Sequence, residues 1–327
     1  MTQTVFERDL WQGLAPLADE EAARLDKLIA RYGQQRLGEF SRQVYEPFTE
    51  PHKQRFVIWF AKRWAGIERL PAQEYEAYLQ EVKRVREHPY QQQALNGRSY
   101  KRLELAPQGF RGELLTYPWM LGIHDFLFGQ YRNEDFGVRP GDTIIDAGAF
   151  VGDTAVLFHQ EAQGDCQIHA FELLDENLAL LRHNLAVNDI ADDVHVCHLA
   201  LTARSGDVVN IKAPPVQGAT SIFGDAGGKP VETITIDDYV RSAGLQRVDF
   251  IKMDIEGAER QALQGALQTL QTHRPRLALC IYHLWDDSYE IPRIIASSGV
   301  AYRYDFKWAE LTNGWEAVLL CMPCEPR

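Results

Sequence analysis

The chain has no apolar stretch approaching the roughly 20 residues that a membrane-spanning helix requires, and its N-terminus has no charged-then-apolar leader pattern. These absences predict a soluble, cytoplasmic protein. Cysteine is scarce and odd in number, with five residues at 166, 197, 280, 321 and 324 that lie mostly inside apolar runs. That excludes a disulfide framework as the default and favours a reducing compartment. Cys321-Met322-Pro323-Cys324 has the spacing of half a zinc site, yet no second Cys/His pair stands near it in sequence. Positive charge is short as well: 34 Lys+Arg against 46 Asp+Glu leave a net of −12. Nucleic-acid affinity rests on cations meeting phosphates, so no nucleic-acid partner is expected. There is no internal repeat.

What is present is ordinary globular material, with 45% hydrophobic and 24% charged residues over 327 positions. This length holds one large α/β domain with an appendage, or two domains. The charge is uneven, because residues 1–112 carry 18 basic and 15 acidic residues while the remainder carries 16 and 31. A division at 1–112 and 113–327 follows. The first part reads as helix, from Leu14, Leu17, Ala22, Leu25, Leu28 and Ile29, then Phe56, Val57, Phe60 and Trp64, then Tyr75, Tyr78, Leu79, Val82 and Val85 after Pro71. Such a stripe serves as core, as a homodimer interface or as a wall of a substrate pocket.

From about residue 140 the pattern alternates strand and helix. Thr143-Ile144-Ile145, Gln167 to Phe171, Val194 with Val196, Val248 to Met253 and Leu277 to Tyr282 read as strands. Between them, helices are carried by Ala155, Val156 and Phe158, by Leu178, Leu181 and Leu185 behind a capping Asp175, and by Ala258, Ala262, Leu263, Ala266, Leu267 and Leu270. Val208 to Ile211 is a short extra strand, and a Gly/Pro/Ala-rich loop follows from Ala213 to Pro230. The chain closes with a helix at Ile291, Ile294 and Ile295 and with two strands, Tyr302 to Phe306 and Ala317 to Cys321, joined near Asn313-Gly314. This predicts a mostly parallel sheet covered on both faces, with one antiparallel strand from the closing hairpin.

In such a sheet ligands bind beyond the carboxyl ends of the strands. The first strand runs into Asp146-Ala147-Gly148-Ala149-Phe150-Val151-Gly152-Asp153-Thr154. Gly148 supplies backbone angles closed to other residues, and Gly152 lets the next helix pack close while loop N–H groups face a ligand. Dinucleotide sites want G-x-G-x-x-G, and the second close glycine is missing, which disfavours a nicotinamide-dependent dehydrogenase. Asp146 instead suits a ligand bearing an ammonium and a sulfonium, as S-adenosylmethionine does. Glu172, 24 residues after Gly148 at the end of the second strand, suits the hydroxyls of a ribose. Beyond the fourth strand stand Lys252, Asp254 and Glu256 at period-two spacing, and beyond the fifth stand His283, Asp286 and Asp287. A His of ordinary pKa, oriented by Asp254 or Asp286, can take a proton from a hydroxyl. The same Asp, Glu and His side chains could instead hold a divalent cation, so the metal content is left open.

Together these segments resemble the FkbM family of S-adenosylmethionine-dependent methyltransferases. The resemblance rests on Val138 to Thr154, Ala170-Phe171-Glu172 with Asn177 to Asn188, Leu199-Ala200-Leu201 with Gly206, Thr235 to Tyr239, Phe250 to Glu259, and Ile281-Tyr282-His283. It covers most of residues 130 to 320. It implies a class I, Rossmann-like methyltransferase fold with a seven-stranded sheet, and O-methylation of a sugar or secondary metabolite hydroxyl. Carried onto this chain, Asp146, Gly148, Gly152, Thr154 and Glu172 would bind the cofactor, and His283, Asp254 and Glu256 would serve catalysis. Leu173 and Leu174 depart from the family, which often has proline after the acidic residue. Tyr117, Trp119, His124 and Thr220-Ser221 are candidate pocket walls. The rival to an enzyme is a catalytically silent cofactor-binding assembly partner; neither the acceptor nor the oligomeric state is legible.

Overall fold

The computed structural model describes residues 3–211 and 228–325. Four helices come first: α1 (Val5–Gly13), α2 (Asp19–Phe40), α3 (Glu50–Ala65) and α4 (Ala72–Arg86). The strands β1 (Gln91–Leu95), β2 (Arg98–Glu104) and β3 (Glu113–Thr116) then form a small antiparallel sheet, followed by the short α5 (Ile123–Phe126). Alternation begins with β4 (Asp142–Ala147), α6 (Asp153–Glu161), β5 (Cys166–Phe171), α7 (Asp175–Val187) and β6 (Val194–Cys197). A second small sheet holds β7 (Ala200–Leu201), β8 (Val208–Ile211) and β9 (Lys229–Ile234) in the order β7-β9-β8. The chain continues through α8 (Ile236–Ser242), β10 (Phe250–Met253), α9 (Glu259–Gln264), α10 (Leu267–His273), β11 (Arg276–Cys280), α11 (Asp287–Ala296), β12 (Tyr302–Trp308) and β13 (Ala317–Pro323).

The main sheet has seven strands in the order β12-β13-β11-β10-β4-β5-β6. Only β13 runs antiparallel to its neighbours, as the closing hairpin predicts. Every residue of β4, β10 and β11 is buried, which is how parallel strands covered on both faces read. From β4 the chain builds outward through β5 and β6, and from β10 it builds the other way. The strand order therefore reverses between β4 and β10, and the crevice at their carboxyl ends is where this architecture binds ligands. No helix among the described residues is long and apolar enough to cross a membrane.

Three local expectations change. The first third is helical only to Arg86; residues 91–116 are sheet, and a division at 112/113 falls between the paired β2 and β3. Asp175 does not cap α7: Leu174 holds the N-cap without a side-chain bond, and the Asp175 carboxylate pairs with Lys229. The helix after β10 is two helices, broken at Gly265, where a Cβ would stand 2.3 Å from the Thr202 carbonyl oxygen.

Most of the apolar stripe of the N-terminal helices packs inside the chain, with Leu79 left exposed. Phe56 of α3 meets Phe306 of β12 edge-on at 5.0 Å, and Trp59 lies 5.3 Å from the same ring. Each buried aromatic of this kind contributes about 1.5–3 kcal/mol relative to exposure. Polar bonds fix the docking, since Trp59 Nε1 donates to the Gly314 carbonyl at 3.0 Å and Arg63 donates to the Tyr282 carbonyl at 2.8 Å. The helices thus share one core with the sheet and press on the segments that lead to its functional edge.

Candidate active site

At the end of β4 the backbone turns sharply. Gly148 has φ +83°, and a Cβ there would lie 1.9 Å from the Asp254 carbonyl oxygen, so only glycine lets the loop pass beneath the end of β10. Three of the loop's N–H groups are taken up inside the protein. Gly148 and Ala149 donate to the Phe171 carbonyl, and Gly152 donates to the Ala149 carbonyl. Asp146 is fully buried, with Oδ2 accepting from Thr154 Oγ1 at 2.6 Å and Oδ1 3.2 Å from Lys252 Nζ. Lys252 also donates to the Gly148 carbonyl at 2.7 Å. Burial alone would lower the lysine's pKa, but the carboxylates of Asp146, Asp254 and Asp153 hold it above the ordinary value. Asp146, Thr154 and Lys252 therefore form a clamp at the base of the loop.

Two cavities meet over this loop. A slot at the β5 side is lined by Gly148, Phe150, Phe171, Glu172, Leu199 and Ala258 among others, with mostly apolar walls, Glu172 at one side and Asp254 and Glu256 at its lip. Glu172 Oε1 accepts the N–H groups of Leu173 and Leu174 at 2.7 and 2.8 Å. Burial outweighs these bonds and pushes the carboxyl up to about 7. The second cavity holds about 440 Å³ and is walled by Tyr78, Val82 and Arg86 of α4, by Trp119 and His124, and by Gln130, Tyr131, Tyr282 and Glu316. Gly148, Phe150, Asp254 and Glu256 line both spaces and form the lip between them. Three non-glycine residues on the wall of the larger cavity, Phe150, Glu256 and Glu316, adopt left-handed φ of +46°, +56° and +52°. Strain of this kind, roughly 1–3 kcal/mol per residue, persists where surroundings over-determine it and gathers at functional sites.

The carboxyl ends of β10 and β11 bring Asp254, Glu256 and His283 together as expected. Asp254 accepts from Tyr282 at 2.9 Å and from Tyr131 at 3.1 Å. His283 Nε2 lies 3.5 Å from both Asp254 Oδ1 and Glu256 Oε2, and Nδ1 lies 3.1 Å from Glu259 Oε1. The expected role of His283 as a base of ordinary pKa does not fit. Burial lowers its pKa, but Glu259, Asp254 and Glu256 outweigh it and raise it to about 10, and the ring lines neither cavity. The Glu256 pKa is raised as well, by burial and Asp254, to about 7. Asp286 and Asp287 turn to Arg260 and orient nothing at this site.

The remaining wall candidates divide. Trp119 and His124 line the large cavity, with the His124 pKa lowered by burial to about 4. Tyr117 instead lies behind Phe150 and donates to Asn177 at 2.7 Å. Thr220-Ser221 falls outside the described residues. Sequence reasoning missed Tyr131, Gln130, Glu316 and Glu259. Glu316 stands directly before the apolar strand β13, is raised by burial to about 8, and accepts from Gln130 at 2.6 Å. An acid flanking an apolar run was its only local signal. Glu259 sits in the quoted Asp254-to-Glu259 block and was readable there.

Comparison with known proteins fits this geometry. Residues 146–305 match the family model described as the methyltransferase FkbM domain. The chain is 25% identical over 185 residues to methyltransferase sdnD of Sordaria araneosa, covering 47% of this chain and 70% of that one. It is 24% identical over 167 residues to the 31-O-demethyl-FK506 methyltransferase FkbM of Streptomyces tacrolimicus, covering 41% of this chain and 63% of that one. Among solved structures, a methyltransferase FkbM from Methylobacillus flagellatus superposes with a TM-score of 0.53 at 18% identity, over 94% of this chain and 64% of that one. That likeness establishes the shared fold.

Proposed function

We propose, for this member of the FkbM methyltransferases, that the two cavities hold a methyl donor and a hydroxyl-bearing acceptor on either side of one lip, making it an S-adenosylmethionine-dependent O-methyltransferase of a sugar or other small metabolite. The observation that carries this reading is the shared lip of Gly148, Phe150, Asp254 and Glu256. S-adenosylmethionine supplies an electrophilic methyl group on a sulfonium. Its adenosine suits the slot, whose apolar walls take the base and whose Glu172 accepts from the ribose hydroxyls. The acceptor's place is the larger cavity, where the N-terminal part of the chain contributes Tyr78, Val82 and Arg86 and so takes part in acceptor choice.

Transfer forms an O–C bond in line with the breaking C–S bond, and the hydroxyl proton must go to a neighbouring group. Asp254 and Glu256 are the carboxylates at the lip, while the two tyrosine hydroxyls on Asp254 fix its orientation. Glu256 has no such tyrosine clamp among the described residues and is the better-placed acceptor of the proton. His283 acts behind them as a positioning residue.

Calorimetric titration with S-adenosylhomocysteine tests the donor half, and absence of binding would remove it. Glu172→Gln is expected to weaken binding on the order of tenfold, the worth of one charge-assisted hydrogen bond. The pH dependence has a definite sign. Burial places the Glu172 carboxyl near 7, so it is neutral below that pH and cannot accept from both hydroxyls. Ribose donors would stabilise the ionised form and lower its pKa in the complex. Affinity should therefore be full above about pH 7 and fall as the pH drops, and this slope should vanish in Glu172→Gln.

A further inference from the structure

The most buried atoms of the cluster behind the lip make no well-aligned hydrogen bond among the described residues. His283 has a side chain only 6% exposed, and its ring nitrogens stand beside carboxylates, Nδ1 3.1 Å from Glu259 Oε1, without such a bond. Glu259 is buried to the same end: Oε1 accepts from the Ile255 N–H at 2.8 Å, but Oε2 has no partner. Leaving such an atom unsatisfied is costly in a buried place, and three stand side by side. One oxygen of Asp254, one of Glu259 and one nitrogen of His283 all lie within 4.8 Å of one another. Glu256 Oε2 stands a further 3.5 Å from Nε2. The donors come from rigid places, the adjacent ends of β10 and β11 and the first residue of α9.

We infer that Asp254, Glu259 and His283 form a binding site for one divalent cation. Two carboxylates and an imidazole are a donor set for a first-row ion of the Mn²⁺ or Zn²⁺ type rather than for an all-oxygen ion such as Ca²⁺. A single cation would satisfy the imidazole nitrogen and the free Glu259 oxygen together, and would offset acids that otherwise crowd one pocket. Asp254 also lines both cavities, so an ion held by it would lie close to where the acceptor binds. Resting on the methyl-transfer reading, its role is to hold the acceptor hydroxyl and lower that hydroxyl's pKa, which eases loss of the proton to Glu256.

The test uses the full-length chain, stripped with chelator and titrated with Mn²⁺ while free Mn²⁺ is followed by electron paramagnetic resonance. S-adenosylhomocysteine binding is measured on the same sample. The expected result is one Mn²⁺ per chain, with a ¹⁴N coupling from a bound imidazole in the pulsed spectrum. His283→Gln should remove that coupling and weaken Mn²⁺ at least about tenfold, with S-adenosylhomocysteine still bound. If that variant does not fold, the nitrogen coupling in the unmodified protein decides the matter alone. No saturable Mn²⁺ up to about 1 mM, or binding without nitrogen coupling, overturns the site and leaves His283 as an imidazolium among carboxylates. S-adenosylhomocysteine binding without Mn²⁺ removes the cation alone, whereas loss of both removes the donor reading with it.

Discussion

Gly148→Ala is expected to lower affinity for S-adenosylhomocysteine by about a hundredfold, roughly 2.7 kcal/mol, and methyl transfer with it. The alanine meets two penalties. A left-handed φ of +83° costs a non-glycine residue about 1 kcal/mol or more. The larger one is steric, because its Cβ would stand 1.9 Å from the Asp254 carbonyl oxygen, a backbone atom that no side-chain rotation can move. Either the loop lifts away from β10 or the end of β10 bends, and both carry the lip residues with them. Two controls separate these terms. Gly206 has the same φ of +83° with nothing within 4 Å of a built Cβ, so Gly206→Ala should lose only about 1 kcal/mol of stability and keep its donor affinity. Gly152→Ala would meet the flexible tip of Leu181 at 2.7 Å and should fall between the two. Calorimetry on the three variants, with circular dichroism to verify folding, measures the order. Equal affinities for Gly148→Ala and Gly206→Ala would mean that the loop does not shape the donor site.

The parallel core was legible because its strands are buried on both faces and therefore read as short apolar runs closed by an acid or a glycine. Asp146, Glu172, Asp254 and His283 stand at or just beyond the carboxyl ends of β4, β5, β10 and β11 for that reason. What a strand end does after the strand was less legible. Nothing local to Asp146 announces that Lys252, 106 positions later, will take its carboxylate, since that pairing is set by the register of β4 against β10, where the two residues are direct partners. His283 fails as a simple base for a similar reason: its pKa is fixed by Glu259, Asp254 and Glu256, which reach it only across two strand ends. The small N-terminal sheet carried a readable signal in Asn96-Gly97. Both residues have positive φ, +51° and +78°, as a two-residue hairpin turn demands. The helical spacing that ends at Val85, just before this sheet, hid it. Glu316 and Tyr131 belong to no motif, and only the docking of β13 and of the segment after α5 brings them to the cavity.

Lys252→Met is expected to destabilise the fold by about 3–5 kcal/mol, the typical effect of removing one partner from a buried ion pair. Lysine and aspartate are both buried here, at 1% and 0% exposure, so water cannot take the lysine's place. The substitution leaves the Asp146 carboxylate with the Thr154 hydroxyl alone and strips the Gly148 carbonyl of its donor. Lys252→Met combined with Asp146→Asn should recover most of the loss, because neither partner of the pair then leaves a charge buried without its counter-charge and the Asn oxygen still accepts from Thr154. Urea unfolding of the two single variants and the double gives the coupling, provided the slope with denaturant is unchanged. A drop below about 1 kcal/mol in Lys252→Met would show that the pair is solvated in solution. The double variant then isolates function from stability. It regains the fold but still lacks the ammonium that holds the Gly148 carbonyl, so its affinity for S-adenosylhomocysteine should stay several-fold below that of the unmodified protein. Full recovery of both quantities would make the Asp146–Lys252 clamp a feature of stability alone, with the loop shaped by Gly148 and its contact with Asp254.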